Sequence, residues 1–334
     1  MGKIVTFGEV VMRLSPPDNR KIKQAGHLEF FFGGTEMNVG ASLAGFGQRV
    51  QHVTNVSDDM IGDAALATMR SYGIDTSWVR RVSQPLGLYF LETGTSIRPS
   101  RISYNRLDAA FAHIHPDQVD WEDILKDAIH FHWSGITPGI SKSAYLTLKK
   151  ALEVANKYNL VITADPANRS NLWKYGMKSN QVLKELVSMS TILIGGVTEI
   201  NHMLDTEFAS DKEGFIAASK LLMTECSNLK QVFDKVRIGR SATWQTINSQ
   251  AWTNEQYLST SELEISLVRD RLGTGDAFAA GLIYGLQHFG PQEALDFANA
   301  ACGLKHTIMG DVNLASVEEI QQVASGEVSG RIIR

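Results

Sequence analysis

The order of elements along the chain predicts an α/β fold: a mainly parallel sheet with helical crossovers, joined by a smaller set of strands standing outside it. Three observations carry this. Short β-rich runs alternate with longer amphipathic segments, the signature of βαβ units. Two segments, 11–32 and 87–111, are instead richer in turn residues and hold period-two runs such as Gly87-Leu88-Tyr89-Phe90-Leu91. Finally, 334 residues, 43% of them hydrophobic and 20% charged, suffice to bury a large core.

The first strand is expected at residues 4–7, and 128–133, 160–164, 191–194 and 231–233 supply further strands of the main sheet. Between two of them, residues 141–158 place Leu146, Leu148, Leu152, Val154 and Ala155 at spacings of up to four, with Lys149, Lys150 and Lys157 interspersed. That pattern reads as one amphipathic crossover helix. Segments 11–32 and 87–111 read as antiparallel strands outside the sheet. No internal repeat, low-complexity tract or block of like charges divides the chain.

Thirty-two Lys and Arg against 36 Asp and Glu leave a net charge of -4. Such a balance argues against a nucleic-acid or anionic-membrane surface and points to a small-molecule partner. The opening MGKIVTFGEVVMRL runs from apolar residues straight into charges, unlike a signal peptide. The longest apolar stretch elsewhere, residues 278–286, falls far short of the roughly 20 residues a membrane helix needs. Cys226 and Cys302 lie far apart with no CxxC, so neither a disulfide framework nor a zinc finger is in view, and a soluble protein of the reducing cytoplasm is expected.

The P-loop GxxxxGK[ST], GxGxxG, HExxH and GxSxG are all missing from the sequence, which counts against the enzymes built on them. What stands out is Asp270-Arg271-Leu272-Gly273-Thr274-Gly275-Asp276, followed by an apolar run of small residues. Gly273 and Gly275 let the backbone turn tightly and approach an anion, and a helix beginning there aims its unpaired N–H groups and positive dipole end at whatever sits on the turn. Asp276 at that helix start is either a structural cap or the acceptor of a proton from an attacking hydroxyl. Phosphoryl transfer needs such an acceptor beside preorganised donors.

Together with Phe32-Gly33-Gly34-Thr35-Glu36-Met37-Asn38-Val39-Gly40 near the start, this motif resembles the two signatures of the ribokinase (PfkB) carbohydrate kinases, in order and spacing, over essentially the whole chain. Asp165-Pro166-Ala167-Asn168-Arg169 with Gly310-Asp311-Val312-Asn313 is most similar to 2-keto-3-deoxygluconate kinases within that family. The resemblance implies one ribokinase-like domain, a doubly wound sheet flanked by helices, with lid strands from 11–34 and 86–111. It implies ATP and Mg²⁺ as cofactors, a sugar acid as acceptor, and a homodimer or higher oligomer formed through the lid. Asp276 would be the base, and the N–H groups of Gly273, Thr274 and Gly275 the anion hole. Gly33, Gly34 and Asn38 would hold sugar hydroxyls; on the residues alone, the first motif is equally a glycine turn into a helix with Asn38 as a cap.

A keto acid carries a carboxylate whose burial demands cationic or hydroxyl donors, and by resemblance these are Tyr89, Tyr104, Arg106 and Arg169. On a strand, residues 104 and 106 share a face, so Tyr104 and Arg106 could converge on one group. Without the resemblance, an arginine on a strand more often just faces solvent. Where the family shows Asn-x-x-Glu, this chain has Gly196-Val197-Thr198-Glu199; Glu199 could still order water around Mg²⁺. Residues 233–240 depart from the usual apolar strand ending in a Gly loop, which leaves the nucleotide contacts open. Asp270 lies where relatives bind a monovalent cation, K⁺ for instance. A fructokinase, a ribokinase or a non-catalytic sugar sensor of the same fold are the alternatives. His130 with His132, and His113 with His115, show two-ligand metal spacings without a third partner, so they read as half-buried or surface histidines. The scattered tryptophans read as core or rim aromatics.

Overall fold

The computed structural model describes residues 2–330. Ten strands form the central sheet: β1 (Lys3–Phe7), β4 (Arg49–Ser57), β5 (Val79–Val82), β8 (Ala128–Ser134), β9 (Val161–Asp165), β10 (Ile192–Ile194), β11 (Gln231–Gly239), β12 (Gln245–Thr253), β13 (Gln256–Ser259) and β14 (Leu263–Ile265). They run in the order β13-β12-β11-β10-β9-β8-β1-β4-β5, with β14 also on β12. Every pair from β11 to β5 is parallel, and the β11-β12-β13 edge is antiparallel.

Alternation along the strands explains why helices cover both faces. Val5, Phe131, Leu193 and Val232 join one core with the helices Lys142–Lys157, Ser179–Ser188 and Lys212–Glu225, whereas Ile4, Ile192, Ile194 and Phe233 join another with Thr274–His288 and Pro291–Lys305. A strand buried on both sides loses the polar alternation of a half-exposed one, and Ile192-Leu193-Ile194 is its clearest case. The crossover helix begins where its cap dictates: Ser141 Oγ accepts from Ala144 N at 3.1 Å.

The second sheet has the order β3-β2-β6-β7, from β2 (Val11–Ser15), β3 (Glu29–Gly33), β6 (Gly87–Glu92) and β7 (Arg101–Asn105). All four lie in the segments set apart in the sequence, but the central β2–β6 pair is parallel rather than antiparallel, because no hairpin joins them. Leu14, Phe30 and Phe90 sit side by side on its outer face, and Arg13, Phe31, Tyr89 and Tyr104 on its inner one. One expected strand is too short: 231–233 continues to Gly239, since nine positions pair with β12 and carry Asp234, Lys235 and Arg237 past its apolar start. The strand histidines also differ from expectation. His130 and His132 are fully buried on β8, and burial pushes both down to about 3, so both are neutral. His113 and His115 are exposed beside Asp108 and Asp117. Among the described residues no group of His, Cys, Asp and Glu is placed to hold a metal ion, and no helix is long and apolar enough to cross a membrane.

Candidate active site

In parallel α/β sheets ligands lie beyond the carboxyl ends of the strands, and a cleft of about 410 Å³ opens there, under the second sheet. Glu9 follows β1 into it, Ser134 ends β8 and Asp165 ends β9. Its floor is the anion-hole turn. Gly273 caps the helix Thr274–His288 with φ +76°, and a side chain there would run into the Asp311 carbonyl, so glycine is required twice over. Gly273, Thr274, Gly275 and Asp276 all line the cleft, and Thr274 Oγ1 fixes the turn by donating to Arg271 O at 3.1 Å.

Asp276 is more than a cap. Its Oδ2 accepts from Asn38 Nδ2 at 2.7 Å, while Asn38 Oδ1 accepts from Gly34 N at 3.3 Å. The two sequence motifs are thereby joined at one carboxylate. Burial pushes Asp276 up to about 7, the Asn38 amide opposing and the charge of Asp165 adding to it. Glu36 anchors the first motif from behind: its Oε1 accepts from Ser134 N at 3.0 Å and from the hydroxyls of Ser134 and Thr137 at 2.8 Å.

Gly34, Asn38, Tyr89, Tyr104, Arg106, Arg169 and Asp270 are all brought to this cleft. Three expected roles change. Gly33 packs against Asp311 and does not line the cleft, since the strand end turns it into the protein. Tyr89 is 6% exposed and donates its hydroxyl to Asp311 Oδ2, itself part of the cleft lining, so the phenol enters the site already bonded. Arg106 lies beyond the end of β7, stacks over Tyr104 at 5.5 Å and pairs with Glu9, which offsets its charge. Glu9 Oε1 and Arg106 Nε are left buried and unpartnered on the cleft wall.

Asp270 also departs from expectation. The cation against it is a guanidinium: Arg13, wholly buried on β2, lies 2.7 Å from both Asp270 Oδ2 and Asp311 Oδ1. Sequence reasoning passed over Arg13, although the alternation of Val11, Arg13 and Ser15 puts it on the buried face of its strand, where an arginine demands carboxylates. It also passed over Lys235, whose Nζ is 3.0 Å from where a side chain on Gly275 would begin.

An adjoining cavity of about 330 Å³ shares Asp165, Ala167 and Lys235 with the cleft and contains Glu199. Glu199 Oε2 accepts from Gly196 N at 3.0 Å. The Asn lost at position 196 has a counterpart: Asp234 Oδ2 lies 2.5 Å from where a Gly196 side chain would start, so a carboxylate from β11 occupies that space. Burial raises both Glu199 and Asp234 above the usual carboxylate range.

The pfkB family carbohydrate kinase pattern matches residues 1–316. A 2-dehydro-3-deoxygalactonokinase of Haloferax volcanii is 28% identical over 331 residues, covering 98% of each chain. The crystal structure of a 2-dehydro-3-deoxygluconokinase from Thermotoga maritima has a TM-score of 0.93 and 36% identity, over 98% of this chain and 100% of that one. A fructokinase of Xylella fastidiosa solved with bound ATP, 19% identical and covering 97% of this chain and 98% of that one, shares the fold with a TM-score of 0.77. With both signatures meeting at Asp276 in a ribokinase-like fold, the chain belongs to the pfkB family of carbohydrate kinases and is a sugar kinase.

Proposed function

We propose that the protein transfers the γ-phosphoryl group of ATP to the primary hydroxyl of a 2-keto-3-deoxy sugar acid, 2-keto-3-deoxygluconate foremost, giving its 6-phosphate. The observation that carries this is the Asp276 carboxylate, held by Asn38 at a helix N-terminus in the same cleft as Arg106 and Arg169. The acceptor oxygen attacks the γ-phosphorus, its proton passes to Asp276, the bond to the β-phosphate oxygen breaks, and ADP leaves. Meanwhile the N–H groups of Gly273, Thr274 and Gly275, with Lys235 above them, face the charge on the transferring oxygens. The chemistry is chiefly positioning.

Glu199 and Asp234 are carboxylates that burial holds above their usual range, so a hydrated Mg²⁺ beside them would be favoured. That ion would neutralise phosphate oxygens of the nucleotide. A cytoplasmic setting accords with two buried free thiols, Cys226 and Cys302.

Arg169 is exposed in the cleft, and we assign the acceptor's carboxylate to it, with the paired Arg106 and Glu9 left for hydroxyl and keto oxygens. An ADP-release assay over sugar acids and neutral ketohexoses should give its highest kcat/KM with 2-keto-3-deoxygluconate. Arg169→Met should raise KM for the keto acid about ten- to hundredfold, the worth of one charged hydrogen bond, and leave a ketohexose nearly unchanged. Equal effects on both acceptors, or a neutral sugar as best substrate, would defeat the acid reading in favour of a fructokinase-like one.

The outer face of the lid supports an oligomer. Phe30 is 59% exposed beside Leu14 and Phe90, an apolar patch of the kind that marks a protein contact. In sedimentation velocity the protein should run as a dimer or larger, and Phe30→Glu as a monomer; a monomeric parent would refute this.

A further inference from the structure

Beneath the anion-hole turn lie two buried cations that the reaction above does not use. Lys305 ends the helix Pro291–Lys305 and is 0% exposed. A lysine at a helix C-terminus ordinarily runs its ammonium out to water. Here Nζ turns inward and donates to the Ile308 carbonyl at 2.9 Å, and Cε lies 3.3 Å from where a side chain on Gly273 would begin. Burial lowers the pKa of that ammonium, and the charges of Asp270 and Asp311 oppose the shift. Arg13 meets the same two carboxylates at 2.7 Å each.

The two carboxylates are thus bridged by Arg13, and Lys305 lies against the same turn with its ammonium on a carbonyl. The remaining hydrogen bonds to Asp270 come from backbone: Leu272 N to Oδ1 and Gly310 N to Oδ2, each at 3.1 Å. A monovalent ion beside Asp270 would meet the Arg13 guanidinium at close range in a low dielectric, where like charges repel strongly, with the Lys305 ammonium under the adjoining turn. The residues present do not fit it.

We propose that this kinase carries its own monovalent cation, the Lys305 ammonium seconded by Arg13 supplying the fixed positive charge beneath the Gly273–Gly275 turn, so that turnover needs neither K⁺ nor Na⁺. Lys305 is a positioning residue, acting on the transferring phosphate through the turn it supports. The inference rests on the kinase reading above.

The first test uses the unaltered protein. ADP release with the best sugar acid is measured in K⁺, Na⁺ or tetramethylammonium salts at matched ionic strength, and the melting temperature of the nucleotide-free protein is followed in the same salts. Rates within about threefold and equal melting temperatures are expected; charge screening is common to all three salts. A larger stimulation by K⁺ or Na⁺, or a selective rise in melting temperature, would overturn the proposal. The melting measurement needs no turnover, so an inactive protein would count against the sugar-acid reading while this inference was still decided. In Lys305→Met, kcat should fall about tenfold or more, as when one preorganised donor is weakened, with KM for the acceptor little changed. Part of the loss should return with K⁺ or NH₄⁺ and none with tetramethylammonium. An unchanged kcat, or a loss that no cation restores, would assign Lys305 to packing alone; should the variant fail to fold, the two tests on the unaltered protein still decide.

Discussion

Asp276→Asn should lower kcat by about 10³–10⁴, because the amide keeps the shape and the contact with Asn38 but accepts no proton from the acceptor hydroxyl. Binding of sugar acid and nucleotide, followed by calorimetry, should be nearly unchanged. In the unaltered enzyme kcat/KM should fall as pH drops below about 7, since burial lifts Asp276 there and the protonated carboxyl cannot act as a base. The stability sign is the opposite. A carboxyl whose pKa is raised by folding favours the folded state fully below its unfolded value, and that advantage is lost as pH rises through about 7. Asp276→Asn should therefore melt higher than its parent at pH 8, the charge being worth more to turnover than to the fold. Near-parental turnover in the variant would remove Asp276 from its role.

Arg13→Met should be the most damaging change outside the reacting groups, lowering the free energy of unfolding by roughly 3–5 kcal/mol in denaturant titration. The reason is what it leaves behind. Asp270 and Asp311 are 2% and 5% exposed, and both would lose the guanidinium that lies between them. Arg13 also donates from Nε to Ser15 Oγ at 2.8 Å and stacks on Phe31 at 5.0 Å, so a lysine replaces its charge but not its geometry. Arg13→Lys should fall between parent and Met. A loss below about 1 kcal/mol for the Met variant would show that the network contributes no more than a surface pair.

The parts of this molecule legible in its sequence are those whose physics is local. The amphipathic period between residues 141 and 158 located its helix within a residue at each end, because Ser141 caps it and the apolar stripe needs only a neighbouring sheet. The glycines at 273 and 275 marked a turn into a helix for reasons of backbone freedom alone. Strands β12, β13 and β14 were missed because their polar runs are stabilised by an antiparallel edge rather than by an apolar period. The site divided along the same line. Asp276, Asn38 and Tyr89 were placed at the cleft from motifs and resemblance, but the bond from the Tyr89 hydroxyl to Asp311, far away in the chain, left no trace in the sequence. Lys235, Asp234 and Lys305 gave no signal, for each matters through a group that only the fold brings near it. Arg13 alone could have been suspected, from a charge placed on the buried side of a two-residue alternation.

The parallel ladder of β2 and β6 pairs Val11 with Gly87, and the chain between those positions includes two strands of the central sheet, β4 and β5, and two helices that pack on the body of the protein. The cover over the cleft consequently has no existence separate from what it covers. Its two halves can meet only across that long intervening segment, whose closure entropy the pairing must offset. Loosening the β4 region should reach both halves of the roof at once and, through Arg13 and Tyr89 on Asp270 and Asp311, the floor on which the phosphate is handled.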